Sequence, residues 1–184
     1  MAIKKITIQQ YADAYKHIPV FDVRSPGEYN HAHIPGAYSL PLFSDEERKV
    51  VGTAYKQQGK QKAIKLGLDF FGVKMKKMVE EAEAMIKQRK TIGQTGSENN
   101  TIVVHCWRGG MRSGGVAWLL DLYGFDVYVL EGGYKATRRS VTCHGRLSYA
   151  KLESFCRFPA PHANKSRRKP PRLPASKQSR CHEL

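Results

Sequence analysis

The segment from Thr101 to Gly115, TIVVHCWRGGMRSGG, constrains the possible fold more than any other part of the sequence. It opens with the β-branched run 102–104, which is typical of a strand. An apolar run from Val116 to Leu120 follows the loop and ends near Gly124, which indicates a buried helix. We therefore expect a strand, a glycine-containing loop and a helix, with Cys106 at the end of the strand.

The predicted turn surrounds Cys106 with groups that favour a thiolate over a thiol. Backbone N–H groups of the loop and the positive end of the helix dipole stabilise negative charge and bind anions. Arg108 and Arg112 add forked donors suited to an oxyanion. Gly109 and Gly110 let the backbone close around such an anion. A lone cysteine at a strand end is usually a small buried apolar residue, but these neighbours favour a nucleophile.

The stretch HCWRGGMRS fits the pattern H-C-x5-R-S, which is similar to the loops of cysteine-dependent phosphatases and of rhodanese-like sulfurtransferases. We expect Cys106 to be the catalytic residue. The expected substrate-binding residues are those of the loop itself: Trp107, Arg108, Gly109, Gly110, Met111, Arg112 and Ser113. The pattern leaves open whether the thiolate attacks phosphorus, sulfur or selenium. It also leaves open whether His105 only packs or acts as a general base.

Strands alternate with helical segments along roughly the first three quarters of the chain. Besides the strand before Cys106, the predicted strands are Lys4–Thr7, Val20–Arg24, Tyr38–Pro41 and Asp126–Leu130. The clearest helix is predicted over Val73–Lys90, where apolar residues recur at helical spacing. This alternation predicts an α/β fold with a parallel sheet of about five strands, flanked by helices on both faces. Active-site loops in such sheets lie at the carboxyl ends of strands, where Cys106 and Arg24 both fall.

The composition, 41% hydrophobic and 26% charged, is that of a soluble globular protein. The sequence holds no apolar run long enough for a membrane span. Its first residues lack the apolar core of a signal peptide, so we expect a cytoplasmic protein. The four cysteines show no C-x2-C spacing, and we therefore expect no metal site.

The sequence changes character near residue 142. Residues 1–141 are expected to form the folded domain, whereas residues 142–184 are rich in Pro, Lys, Arg and Ser and show little apolar periodicity. Such a composition predicts a disordered basic tail. The net charge is +15, and residues 138–184 contribute twelve Lys and Arg against two acidic residues. This excess favours a nucleic-acid partner or a localisation signal without identifying either.

Several short motifs resemble those of a rhodanese domain in their order and spacing, over about residues 5–140. They are Asp22–Arg24, Glu28–Tyr29, His33–Ala37, Cys106 and Gly132–Tyr134. One departure is Ala32, where the family commonly has glycine. We expect Asp22 and Arg24 to be supporting residues that orient the neighbouring loop through an ion pair.

Longer stretches resemble the N-terminal half of the bacterial tRNA 2-selenouridine synthase family. They are VFDVRSPGEYNHAHIPGAYSLPLF, VGTAYKQQGKQKAIKLG, HCWRGGMRSGGVAWLL and VLEGGYKATRR. The resemblance implies replacement of the sulfur of 2-thiouridine at the tRNA wobble position by selenium, and geranylation of the same position. It implies selenophosphate as co-substrate, with no further cofactor, and tRNA as partner. Cys106 is implied to carry selenium as a selenylsulfide.

That family joins its rhodanese domain to a P-loop domain, whereas no G-x4-G-K-[ST] stretch occurs in these 184 residues. Residues 140–184 do not resemble the family, and we expect a truncated or frameshifted form of it. Two alternatives remain open. One is a cysteine-dependent phosphatase, and the other is a non-catalytic rhodanese-like module that only binds a partner.

Overall fold

Five short parallel strands form a single sheet in this protein, whose structure is a computed structural model that describes residues 3–15, 17–91 and 100–144. The strands are β1 (Lys4–Ile6), β2 (Val20–Asp22), β3 (Tyr38–Ser39), β4 (Thr101–His105) and β5 (Asp126–Leu130). Their order across the sheet is β1-β5-β4-β2-β3, and every neighbouring pair is parallel. The predicted α/β class and the number of strands are confirmed.

Helices cover both faces of the sheet. They are α1 (Ile8–Gln10, followed by a π-helical turn over Tyr11–Tyr15), α2 (Pro26–His31), α3 (Asp45–Gln58), α4 (Lys60–Thr91), α5 (Met111–Tyr123) and α6 (Gly133–His144). Alternate residues of β4 enter different cores, because side chains of a strand point to opposite faces. Ile102 and Val104 pack with α4 and α5, whereas Val103 packs with Tyr11 and Tyr134.

The helix α4 is continuous from Lys60 to Thr91, whereas the sequence predicts its clearest part over Val73–Lys90 and a separate helical segment over Gln61–Leu68. Its buried residues recur at intervals of four or seven positions, which places them along one face: Ala63, Gly67, Phe71, Met78, Ala82 and Ile86. This apolar stripe packs on the sheet along the helix, including its glycine-containing first half. The break between α3 and α4 is at Gly59, whose φ of +90° suits glycine. The sequence Ser44–Glu47 also predicts a helix N-cap at Ser44, and the structure confirms it, since Ser44 forms a capping box with Glu47.

Some sequence predictions fall on other parts of the chain. The glycines and asparagines of Thr91–Asn100 predict a surface loop before β4, most of which lies outside the described residues. The predicted disordered tail from residue 145 onward also lies outside them. The helix α6 runs to His144, slightly beyond the predicted domain boundary. Among the helices of the described ranges, none combines the length and the apolar character that a bilayer crossing demands.

Candidate active site

The loop after β4 encloses the sulfur of Cys106. The Cys106 side chain is buried, and its Sγ atom lies 3.3 Å from the Ser113 hydroxyl and 3.4 Å from the Gly110 backbone nitrogen. Gly110 precedes the first residue of α5, and Ser113 lies in the first turn of that helix. The thiol therefore lies at the helix N-terminus, at the carboxyl end of a central strand, as the sequence predicted.

The surroundings of Cys106 favour the thiolate. Burial by itself raises the pKa of the thiol, because it penalises the charged form. Hydrogen bonds from the Ser113 hydroxyl and from the backbone N–H groups of Ser113, Gly110 and Arg108 outweigh burial, so the pKa is lowered overall. A lowered pKa makes a cysteine a candidate nucleophile rather than an inert core residue.

The turn after β5 packs against this loop and donates backbone hydrogen bonds to it. The backbone nitrogen of Tyr134 donates to the Cys106 carbonyl at 2.9 Å, and that of Lys135 donates to the Trp107 carbonyl at 3.0 Å. The loop after β4 and the turn after β5 approach so closely that a Cβ at Gly133, where φ is +55°, would overlap the Cys106 carbonyl oxygen. A Cβ at Gly109, where φ is +66°, would lie 2.5 Å from the Leu130 carbonyl oxygen. Both positions therefore require glycine.

The two loop arginines have different environments, which the sequence did not distinguish. Arg112 Nη1 donates to Glu28 Oε2 at 2.9 Å, and both side chains are partly buried. Arg108 is exposed and has no ion-pair partner among residues 3–15, 17–91 and 100–144. Arg108 is therefore available to an incoming anion, whereas Arg112 is already held by a carboxylate.

Glu28 belongs to the site, although the sequence did not predict a role for it there. Its Oε2 atom accepts hydrogen bonds from the backbone and hydroxyl of Ser25, besides the bond from Arg112, and Arg48 lies 3.8 Å away. Burial raises the pKa of Glu28, but Arg112, Ser25 and Arg48 outweigh that effect and lower it. The signal in the sequence was its position three residues after Ser25, which is that of a capping box.

Asp22 and Arg24 form the predicted ion pair beneath the loop. Arg24 Nε lies 2.9 and 3.0 Å from the two carboxylate oxygens of Asp22, and both side chains are fully buried. Arg24 Nη2 also donates to the Ala32 carbonyl at 2.7 Å, and the guanidinium lies 4.1 Å from the centre of the Tyr134 ring. The pair thus connects the end of β2 to the turn after α2 and to the turn after β5.

His105 is buried next to this pair. Its Nδ1 atom lies 3.3 Å from the Cys106 carbonyl oxygen, and its Nε2 atom lies 3.8 Å from Asp22 Oδ2. Burial lowers the pKa of the imidazole, and the nearby Asp22 only partly offsets this. The contacts described for His105 join it to backbone and to Asp22 rather than to the thiol. They support the packing interpretation over the general-base one.

Two cavities flank the loop. The first has a volume of about 280 Å³ and lies between α3, α4 and α5, with almost wholly apolar walls that include Phe71, Trp118 and Met111; Arg112 lies at its edge. The second has a volume of about 680 Å³ and lies between α2, the start of α3 and α6. Its walls combine polar and apolar surface, and they include Trp107 and Tyr134.

Comparison with known proteins agrees with this geometry. The family model of the rhodanese-like domain matches residues 7–140. The chain is 38% identical over 140 residues to the tRNA 2-selenouridine synthase of Bdellovibrio bacteriovorus, covering 75% of this chain and 34% of that protein. It is 41% identical over 123 residues to that of Proteus mirabilis, covering 66% and 31%. The chain thus spans about a third of the length of the curated relatives it matches.

One solved structure is similar in both sequence and fold. It is the N-terminal domain of a protein from Clostridium difficile 630 named for ATP/GTP binding. The TM-score is 0.65 and the identity is 39%, over 76% of this chain and 99% of that domain. With its family match, its five-stranded parallel sheet and its cysteine loop, the chain belongs to the rhodanese-like domain family.

Proposed function

We propose that Cys106 accepts a selenium or sulfur atom from an anionic donor and passes it on to an acceptor. The observation that carries this proposal is the thiol itself, whose sulfur lies within 3.4 Å of two hydrogen-bonding groups and whose pKa is lowered by them. The relatives named tRNA 2-selenouridine synthase support selenium as the cargo and tRNA as the final acceptor.

The transfer step follows from the chemistry of the donor. With thiosulfate, the Cys106 thiolate attacks the outer sulfur, the S–S bond of the donor breaks, and sulfite leaves with the electron pair. The product is a persulfide on Cys106. With selenophosphate, the Se–P bond breaks and the electron pair stays on phosphorus, so a selenylsulfide on Cys106 requires phosphite as the other product.

The loop would hold the oxygens of the donor. Backbone N–H groups between Trp107 and Ser113, together with the exposed Arg108, supply donors to the leaving anion as its charge develops. Arg112 is fixed by Glu28. Asp22 and Arg24 act as positioning residues, because their buried pair connects the strand end to the turn that braces the loop.

The two alternative functions have less support. A phosphatase needs a general acid to protonate the leaving oxygen, but Glu28 is salt-bridged with a lowered pKa and Asp22 is buried against Arg24. A module that only binds a partner has no need of a thiol with a lowered pKa. Both observations favour transfer chemistry.

A second activity, transfer of a geranyl group, is implied by the same resemblance and is supported by the apolar cavity. That cavity lies directly beside α5, between Phe71, Trp118 and Met111, and is of a size for a short hydrocarbon chain. Arg112 borders this cavity while its guanidinium is held by Glu28, so the walls account for the hydrocarbon part of the ligand. Geranyl diphosphate should therefore change the fluorescence of Trp118, whereas inorganic diphosphate should not.

The transfer proposal is tested by intact mass spectrometry of the full chain after incubation with thiosulfate or with selenophosphate. We expect the gain of one sulfur or selenium atom that is removed by a reductant. The variant Cys106→Ser should gain none. A matched control that keeps only Cys106, with Cys143, Cys156 and Cys181 changed to serine, should load normally. Unchanged loading in Cys106→Ser would refute the assignment of the nucleophile.

A further inference from the structure

The larger cavity, between α2, the start of α3 and α6, lies directly against the cysteine loop, since Trp107 follows Cys106 in the chain and borders the cavity together with Tyr134. Its volume of about 680 Å³ exceeds what a single selenophosphate or thiosulfate ion needs and falls within the usual range for small-molecule sites. The cavity therefore has room for a ligand much larger than the chalcogen donor.

The two aromatic rings of the cavity are held in fixed positions. The ring centres of Trp107 and Tyr134 are 5.7 Å apart at an angle of 43°. Arg24 lies 4.1 Å from the Tyr134 ring and 5.9 Å from the Trp107 ring, and its charge is compensated by the buried Asp22. Arg24 thus acts as a support for the rings rather than as an anion site. A rigid aromatic wall reduces the entropic cost of stacking a flat ligand.

The rim of the cavity carries exposed positive charge. Arg48 and Arg138 both border it and are exposed. The two acids that border the cavity each have a further partner, because Glu28 accepts from Arg112 at 2.9 Å and Asp45 accepts from the Gly27 backbone at 3.0 Å. Arg48 lies 3.8 Å from Glu28 with 46% of its side chain exposed, so this weak contact costs little to exchange for a phosphate.

We propose that this cavity binds one nucleotide of a single-stranded nucleic acid, with the base stacked on Trp107 and a phosphate at Arg48 and Arg138. An aromatic surface beside arginines is the usual combination for single strands, because every base has a face that can stack. The inference rests on the proposed function, because the role of the cavity would be to present the acceptor nucleotide beside the loaded Cys106.

The test uses the fluorescence of Trp107. The chain has two tryptophans, so the variant Trp118→Phe leaves Trp107 as the only one. Hexauridylate should quench its fluorescence and saturate. In parallel, a labelled hexauridylate should bind Trp107→Ala about tenfold more weakly than wild type. Loss of both Arg48 and Arg138 to alanine should reduce the steepness of the salt dependence by about 1.4 in log K against log salt.

A matched control is Lys76→Ala, which removes one positive charge from a residue of α4 that is 88% exposed and does not border the cavity. It should leave hexauridylate binding unchanged. The proposal is overturned if Lys76→Ala weakens binding as much as the double alanine variant of Arg48 and Arg138, because binding would then be diffuse. It is also overturned if inorganic phosphate competes as well as uridine monophosphate, since stacking would then contribute nothing.

The outcome is separable from that of the proposed function. Normal chalcogen loading of Cys106 without quenching of Trp107 would reject the nucleotide site and leave the transferase assignment intact. Quenching of Trp107 without loading would reject the transferase assignment and leave the nucleotide site.

Discussion

Replacing Ser113 by alanine should raise the pKa of Cys106. The Ser113 hydroxyl lies 3.3 Å from Cys106 Sγ, and it makes the largest of the contributions that lower the pKa of the thiol. A hydrogen bond to a charged group contributes about 1.5–3 kcal/mol, and one pKa unit corresponds to about 1.4 kcal/mol. The pKa of Cys106 should therefore rise by about one to two pH units.

The effect on reaction rate is smaller than the effect on ionisation. A higher pKa reduces the thiolate fraction about tenfold per unit at a pH below both values, but it makes the remaining thiolate roughly threefold more nucleophilic. Sulfur transfer from thiosulfate should then slow about threefold for each unit by which the pKa rises. The rate should recover at high pH, where both proteins are ionised.

The assay is the thiolate absorbance in the ultraviolet, followed against pH and corrected with Cys106→Ser. The control variant is Ser39→Ala in β3, where no contact with Cys106 is present among the described residues. The single proton of the Ser113 hydroxyl can point to Cys106 Sγ or to the Gly110 carbonyl, which lies 3.0 Å away, so circular dichroism should first establish that the variant is folded. A folded Ser113→Ala protein with an unchanged titration would refute the reasoning.

Three further predictions concern the framework of the site. Gly133→Ala should lose about 1–3 kcal/mol of unfolding free energy or more, because the φ of Gly133 is +55° and the new Cβ overlaps the Cys106 carbonyl. Its control is Gly52→Ala in α3, which has open space around it and should gain about 0.5–1 kcal/mol in the same denaturant titration. Asp22→Asn should lose about 3–5 kcal/mol, because it leaves Arg24 buried without its counter-charge, and an unchanged melting temperature would contradict this. Glu28→Gln should lose about 1 kcal/mol at neutral pH. Because the pKa of Glu28 is lowered by folding, its contribution is complete above its ordinary value and is lost as the pH falls through the folded value. The stability difference from wild type should therefore vanish in acid, and a difference that persisted there would contradict the assigned charge.

The sequence was most informative where local chemistry decides the structure. The β-branched run before Cys106 formed a central strand, and the glycines after it formed the expected turn, because both depend on neighbours in the chain. The Asp22–Arg24 pair was also predicted, since the two residues are only two positions apart at a strand end. These features follow from periodicity and from backbone sterics.

Contacts between distant segments could not be predicted from the sequence. The bond between Arg112 and Glu28 joins residues 84 positions apart, so nothing in the local pattern separated Arg112 from Arg108. Gln61–Leu68 and Val73–Lys90 were predicted as separate helical segments, and α4 joins them into one helix. Glycine disfavours a helix locally, whereas the close packing of Gly67 against Phe43 arises only in the folded chain. Both cavities are likewise built from elements that meet only in the folded chain.

The most direct test of chalcogen transfer by Cys106 is a single turnover of the reduced full chain with selenophosphate, followed by phosphorus NMR and by peptide mass spectrometry. The proposed mechanism predicts one phosphite for each protein molecule and one selenium atom on the peptide that contains Cys106. Cys106→Ser should give neither product. Release of phosphate with no selenium on Cys106 would contradict the mechanism, because it would mean that selenium leaves as selenide and is never bound to the cysteine.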